Sequence, residues 1–319
     1  MIRSKIIATG AYLPARVLTN HDLAKTIDTN HDWIVERTGI AQRHIAAEGE
    51  LTSDLGTAAA KQALSNAGLR AEDCDLIVVA TTTPDQTFPA TATTIQHKLG
   101  ARAIPAFDIQ AVCSGFLYAL NVADNFIRTG QVKNALVIGA ETFSRIVDWQ
   151  DRGTAILFGD GAGAAVLSAA NEPDKGIIGI DIFSDGKFND LLYVDGGASR
   201  GDRIGKVRMQ GKEVFKHAVG ILTDVSRKVL DKHNLKTSDV SWVIPHQANR
   251  RIIESSADKL GLSVDKFIIT IDQHGNTSAA SIPLAMHTGF ADKRLKSGDL
   301  VMFQALGGGF TWGAGLARI

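Results

Sequence analysis

Cysteine is scarce in this chain. Two residues, Cys74 and Cys113, stand far apart among 319. That excludes a disulfide-built scaffold and suits a reducing cytoplasm. Excess charge of either sign is missing too: thirty-four basic residues balance thirty-four acidic ones. A nucleic-acid binder carries a basic surplus, so that class is not expected. No apolar run approaches the roughly eighteen residues of a membrane span, and the first ten residues hold no apolar stretch of signal length. No membrane partner or secretory leader is expected. What remains is an ordinary globular composition, long enough for one large domain or two of usual size.

The chain alternates apolar β-branched runs with helical patterns. Leu76–Thr81, Ala135–Ala140 and Ala162–Ser168 read as buried strands, and Ser53–Ala67 and Ala90–Leu99 as helices. This is the βα alternation of a layered α/β protein. The second half repeats the first. Ala67–Ala80 aligns without gaps on His233–His246, and Asn134–Ala140 on Asp299–Ala305, in the same order. The repeat suggests a duplicated half, with its seam near Ala169–Lys175. Ligands of such sheets gather at strand carboxyl ends and between halves.

Against that frame, Cys113 stands where a strand-like run, Ala103–Ile109, turns into a helical pattern starting at Gly115. Helix N-terminal N–H groups carry partial positive charge, so a thiolate there is favoured and a lowered thiol pKa is expected. Free cysteines are also common core filler, so position alone leaves catalysis and packing both open. Three further segments weigh in. His246 ends an apolar strand in Val243–Arg251. Asn276 follows a Gly turn in Asp272–Ser281. A glycine loop lies within Gln304–Gly313. His246 and Asn276 read as strand-to-helix junctions like that of Cys113.

Taken as a set, Ala-Val-Cys-Ser-Gly, Pro-His-Gln-Ala-Asn, Gly-Asn-Thr-Ser-Ala-Ala-Ser and Gly-Gly-Gly-Phe-Thr-Trp-Gly resemble the β-ketoacyl-[acyl carrier protein] synthase III family. Asp32–Ile40 and Phe158–Ala164 extend the resemblance to essentially the whole chain. It implies the thiolase fold: two duplicated α/β halves in a layered αβαβα core, here 1–172 with the cysteine and 173–319 with His and Asn. It implies a cytoplasmic acyltransferase that initiates type II fatty-acid synthesis. An acyl-CoA primer, acetyl-CoA by expectation, would load Cys113 and then condense with malonyl-[acyl carrier protein]. CoA thioesters are substrates there, and no cofactor or metal is expected. A thiolate exchanges acyl groups with a thioester, and the covalent intermediate splits one hard step into two. His246 and Asn276 would donate hydrogen bonds to the developing enolate. The backbone N–H groups of Cys113 and Gly308 would form the oxyanion hole.

Other positions carry over singly. Trp33 and Arg152 match residues that hold the CoA adenine, a role an indole face and a guanidinium plane suit. Arg37 matches a position near the pyrophosphate, and Asn249 and Phe215 line the tunnel. Phe88 matches the residue that shapes the acyl pocket across a homodimer interface. Arg200, Arg203, Lys206, Arg208, Lys212 and Lys216, with Arg250 and Arg251, form a basic run against Asp202 and Glu213. An acidic carrier protein would be steered to such a rim, with Lys216, Arg250 and Arg251 the docking residues. Asp258 departs from the basic pattern of relatives in the following helix. Rival readings are a cysteine hydrolase using Cys113, His246 and Asn276 as a triad, a thiolase-fold relative with another product, and a non-enzymatic scaffold.

Overall fold

A computed structural model describes residues 2–172, 175–201 and 204–319. Pro173 and Asp174, inside the expected seam, and Asp202 and Arg203, inside the basic run, lie outside the described residues. The strands are β1 (Arg3–Tyr12), β2 (Arg16–Thr19), β3 (Gln42–Ile45), β4 (Leu76–Ala80), β5 (Ala106–Ile109), β6 (Asn134–Glu141), β7 (Gly161–Ala170), β8 (Gly176–Ser184), β9 (Leu192–Val194), β10 (Val207–Met209), β11 (Trp242–Pro245), β12 (Leu300–Gly307) and β13 (Thr311–Arg318). The helices are α1 (Asn20–Leu23), α2 (His31–Thr38), α3 (Thr52–Ala67), α4 (Thr91–Leu99), α5 (Gly115–Arg128), α6 (Arg152–Ala155), α7 (Gly211–Lys232), α8 (Arg250–Leu260), α9 (Ile271–His274) and α10 (Ser281–Ala291).

Two mixed sheets carry the fold, in the orders β1-β7-β6-β4-β5 and β8-β13-β12-β11. The pairing types match term for term. β4 lies parallel to β6 as β11 does to β12, and β7 and β13 each run antiparallel to both neighbours. The first sheet has a fifth strand, β5. Its counterpart in the second is reduced to a parallel bridge, Val243–Phe267. The repeat seen in the sequence thus corresponds to the pairs β4/β11 and β6/β12.

Strand side chains alternate between two apolar surroundings, which explains their unbroken hydrophobic runs. From β4, Leu76, Val78 and Ala80 join Phe116, Leu117 and Leu120 of α5 in the central layer. α10 lies in the same layer through Ile282, Ala285 and Met286. Ile77 and Val79 face the other way, onto Leu55 and Ala59 of α3 and Ile95 of α4. The second sheet is covered likewise, by Val225 and Val229 of α7 and Ile253 and Ala257 of α8. The result is the αβαβα layering expected of the thiolase fold. Each fully buried Leu, Ile or Phe contributes about 1.5–3 kcal/mol to this core.

The two central helices start from facing turns, Val112–Ser114 before α5 and Ser278–Ala280 before α10. Gly139 of β6 lets the second turn in: a Cβ there would lie 2.3 Å from the Ala279 carbonyl oxygen. Backbone cannot yield as a side-chain tip can. Gly139→Ala is expected to destabilise the protein by about 1–3 kcal/mol through overpacking. Urea unfolding measures the loss, and an unchanged midpoint refutes the close approach.

Candidate active site

Cys113 sits in the single turn that joins β5 to α5. Val112, just before it, has φ +48°. That is a strained region for a β-branched residue and persists where surroundings over-determine it. Here the surroundings are explicit. The Ser114 and Thr311 hydroxyls each lie 2.8 Å from the Ala111 carbonyl oxygen and 2.6 Å from one another, tying the turn to β13. On the β12 side, a Cβ at Gly307 would fall 2.8 Å from the Cys113 nitrogen. Gly308 follows in the β12–β13 turn, against Leu192, whose carbonyl oxygen would be 2.7 Å from a Cβ.

A cavity of about 460 Å³ opens on this turn, and Cys113, His246 and Asn276 all border it. Arg37, Asn249, Phe215 and Arg251 line it as well. Three residues from different elements thus converge on one space.

His246 follows β11 directly, and its N–H donates to the Gln304 carbonyl at 2.8 Å, prolonging the β11–β12 ladder. The ring Nδ1 lies 2.6 Å from Ser281 Oγ, which also accepts the Gln247 N–H at 3.3 Å. The hydroxyl can donate to Nδ1 while accepting the Gln247 N–H, and in that pairing the imidazole carries its own proton on Nε2. Burial lowers the His246 pKa to about 3, so the ring is neutral. Asn276 was expected to follow a strand, and it does not. It follows the short helix α9 and Gly275 at φ +67°, and it bridges to Phe158. Its Oδ1 accepts the Ser278 N–H at 2.9 Å, so its NH₂ is the donor that Asn276 has to offer.

The expected lowering of the Cys113 pKa is not what the structure supports. The residue is 3% exposed, and burial pushes its thiol up to about 12. A helix start favours the thiolate, but a dry site disfavours any charge more strongly. The resting group is a thiol, and its proton must be taken as it reacts.

The outer residues are arranged as follows. Trp33 on α2 has the Arg37 guanidinium 4.7 Å from its ring centroid and that of Arg152 at 4.9 Å. Asn249 caps α8 through the Arg251 N–H, and its Nδ2 donates to the Arg37 carbonyl at 2.9 Å. Trp33 and Arg152 do not border the cavity themselves; Arg37 links them to it. Phe88 is 81% exposed and stands away from it. Lys216 on α7 pairs with Glu213 at 3.7 Å, and Arg250 on α8 pairs with Glu254 at 2.8 Å. Arg251 lies over Phe215, 5.8 Å from its centroid. Arg208 leaves the basic rim, because Asp148 and Asp195 hold its guanidinium at 2.7 and 2.9 Å.

Three residues that shape the site were not singled out from the sequence, Gly307, Ser281 and Ser278, and neither was the buried Glu141 at the end of β6. Ser278 and Ser281 lie inside a motif whose Asn drew the attention. Glu141 had a visible signal, a lone acid closing an otherwise apolar strand.

The chain is similar to known proteins over its whole length. Residues 107–186 match the family model for 3-oxoacyl-[acyl-carrier-protein] synthase III, and 230–319 match the model for its C-terminal part. The chain is 60% identical to β-ketoacyl-[acyl-carrier-protein] synthase III of Rhodospirillum centenum, over 99% of both chains. It is 58% identical to that of Paramagnetospirillum magneticum over the whole of both. The crystal structure of 3-oxoacyl-[acyl-carrier-protein] synthase III from Aquifex aeolicus superposes with a TM-score of 0.95 at 49% identity, covering 99% of this chain and 100% of that one.

The His246 arrangement is open to nitrogen-15 NMR. Its ring should show a proton on Nε2 and no titration between about pH 5 and pH 8. Ser281→Ala should mix the tautomers. A midpoint near the ordinary histidine value, or an Nδ1 proton in the unaltered protein, contradicts the assignment.

Proposed function

The chain belongs to the β-ketoacyl-[acyl carrier protein] synthase III family, and from that membership and the site we propose how it condenses an acyl-CoA with malonyl-[acyl carrier protein] to initiate fatty-acid synthesis. The observation that carries the reading is the convergence of Cys113, His246 and Asn276 on one cavity. The reaction is ping-pong. Cys113 sulfur attacks the primer thioester, the acyl group moves to Cys113, and CoA leaves. Malonyl-carrier protein then enters and loses carbon dioxide, and its enolate carbon attacks the acyl-cysteine. The product is a 3-oxoacyl-carrier protein, and no metal or cofactor takes part. Acetyl-CoA is the proposed primer.

The enolate oxygen needs donors that keep their protons. Nε2–H of a neutral His246 and the NH₂ of Asn276 meet that need. The later tetrahedral oxyanion is assigned to the N–H groups of Cys113 and Gly308, each such donor being worth about 3 kcal/mol. Gly307 supports the assignment, since its missing Cβ lets the glycine loop lie against the Cys113 backbone. The hydrolase reading fares worse. In a Cys-His-Asn triad the Asn orients the His, whereas here Ser281 holds Nδ1 and Asn276 is turned to the Ser278 backbone.

The cavity mouth suits CoA and its carrier. Arg37 and Asn249 border it, and Trp33 with Arg152 offers stacking planes for the adenine. In the resting arrangement both guanidinium groups lie over Trp33, at 4.7 and 4.9 Å from its ring centroid. Lys216, Arg250 and Arg251 are the proposed carrier-protein contacts. Phe88, exposed to 81% on its own subunit, is proposed to close the acyl pocket of a second copy in a homodimer. Two free, buried cysteines favour the cytoplasm, and among the described residues no helix is long and apolar enough to cross a membrane. Residues 1–172 and 173–319 are proposed as the two thiolase-like halves.

Incubation with labelled acetyl-CoA should leave one thioester on Cys113, abolished in Cys113→Ala. His246→Ala should still acquire the label while losing malonyl decarboxylation by about a hundredfold or more. Equal collapse of both steps contradicts this division of labour. Arg251→Glu should raise the KM for carrier-bound malonate and spare acyl transfer from CoA; equal loss of both removes Arg251 from docking.

A further inference from the structure

Pro245, His246, Ala248 and Asn249 border the cavity, and Gln247 between them does not. Its side chain is wholly buried. A buried amide needs partners, and this one has them. Nε2 donates to the Pro245 carbonyl at 2.8 Å and to the Ile268 carbonyl at 3.1 Å, and Oε1 accepts the Thr270 N–H at 2.9 Å. The opposite orientation would set an oxygen against two carbonyl oxygens and NH₂ against an N–H. The partners therefore fix which way the amide points.

The reason for this clamp lies in β11. Aligned on the first half, Val243–Gln247 corresponds to Ile77–Thr81. There β4 pairs with β5 from Ile77 through Ala80, and the Thr81 N–H extends the pairing to the Ile109 carbonyl at 3.1 Å. The second half begins alike, with the Ile268 N–H on the Val243 carbonyl at 2.9 Å. Pairing stops at Pro245, which stands at the place of Val79 and has no N–H. The Gln247 amide enters the gap. It gives the Ile268 carbonyl the donor that Pro245 lacks. It also takes up the Thr270 N–H and the Pro245 carbonyl, the two groups that the next rung of a parallel ladder would join.

The clamped segment carries Asn276. Thr270 opens α9: its carbonyl accepts the Gln273 N–H at 3.2 Å and the His274 N–H at 3.0 Å, and the Gly275 N–H closes on the Ile271 carbonyl at 3.0 Å. Asn276 follows at once, its own N–H on the Leu157 carbonyl at 2.9 Å. His246 and Asn276 thus stand on two chain segments, and Gln247 ties one to the other.

We propose that Gln247 is a positioning residue that sets the spacing of His246 and Asn276 for the enolate. The inference rests on those two residues being the enolate donors. Gln247 touches no substrate. Cys113 hangs on a different turn, held by Ser114 and Thr311, so its acylation does not depend on the clamp.

The test takes two variants of the full chain and follows two steps in each. One is transfer of label from acetyl-CoA to Cys113; the other is carbon dioxide release when the acylated protein meets malonyl-carrier protein. Gln247→Met keeps the length and removes the amide. It should lower the kcat of carbon dioxide release roughly ten- to a hundredfold, with the KM for malonyl-carrier protein and the labelling rate unchanged. Gln247→Glu keeps an acceptor for Thr270 and offers a donor only when protonated. Burial raises such a carboxyl, and once ionised it opposes two carbonyl oxygens. Its carbon dioxide release, as a fraction of the unaltered protein's, should therefore fall as pH rises, while labelling does not follow. Equal loss in both steps, the mark of general loosening, overturns the proposal. So does full carbon dioxide release in Gln247→Met. Should Gln247→Met fail to fold, Gln247→Glu decides, and a fraction that does not vary with pH overturns the proposal. Unchanged carbon dioxide release in both His246→Ala and Asn276→Ala sinks the enolate-donor reading instead.

Discussion

Two backbone turns meet at van der Waals distance between the sheets, and the chemistry hangs on that meeting. Gly139 admits the Ser278–Ala280 turn, Gly307 admits the Cys113 turn, and Gly115 lies where a Cβ would be 3.6 Å from that of Ala279. With side chains at Gly139 and Gly307 the turns could not come so close. The cysteine would be parted from the asparagine and the serine supplied by the other turn. Strained torsions at Val112 and Ser278 are tolerable because packing and hydroxyl contacts leave no alternative.

The second governing condition is dryness. Cys113, His246 and Asn276 are all buried. Under that condition charge is avoided, and the site holds a thiol, a neutral imidazole and an amide. Such groups stabilise negative charge that appears on a substrate without carrying opposite charge beforehand. Arg37, Lys212 and Arg251 line the same cavity, where CoA phosphates and an acidic partner would arrive.

Much of this was legible in the sequence. β4, β6, β7, α3 and α4 fall within a few residues of their expected positions because their apolar runs are long and their ends are marked by polar turns or by Gly68 and Gly100 in left-handed conformation. The duplication was legible because β4 and β11 each follow a helix end and an Asp-bearing turn. The junction at Asn276 was misjudged, since Phe267 makes a single bridge in place of a ladder and the short helix α9 intervenes. The Cys113 pKa was misjudged for a deeper reason. Position at a helix start is local and readable, whereas burial is the sum of contacts from both halves. Ser281 meets His246 from 35 residues away, and no spacing announces that.

The pairing of the two turns bears on how the molecule can have evolved. Val112 and Ser278 occupy equivalent places, each opening its turn with a positive φ. Cys113 is then the counterpart of Ala279. One copy holds the sulfur, and the other presents a methyl-bearing residue whose backbone braces the first. Neither turn is free to drift on its own, so substitutions there should arise as matched pairs in the two halves.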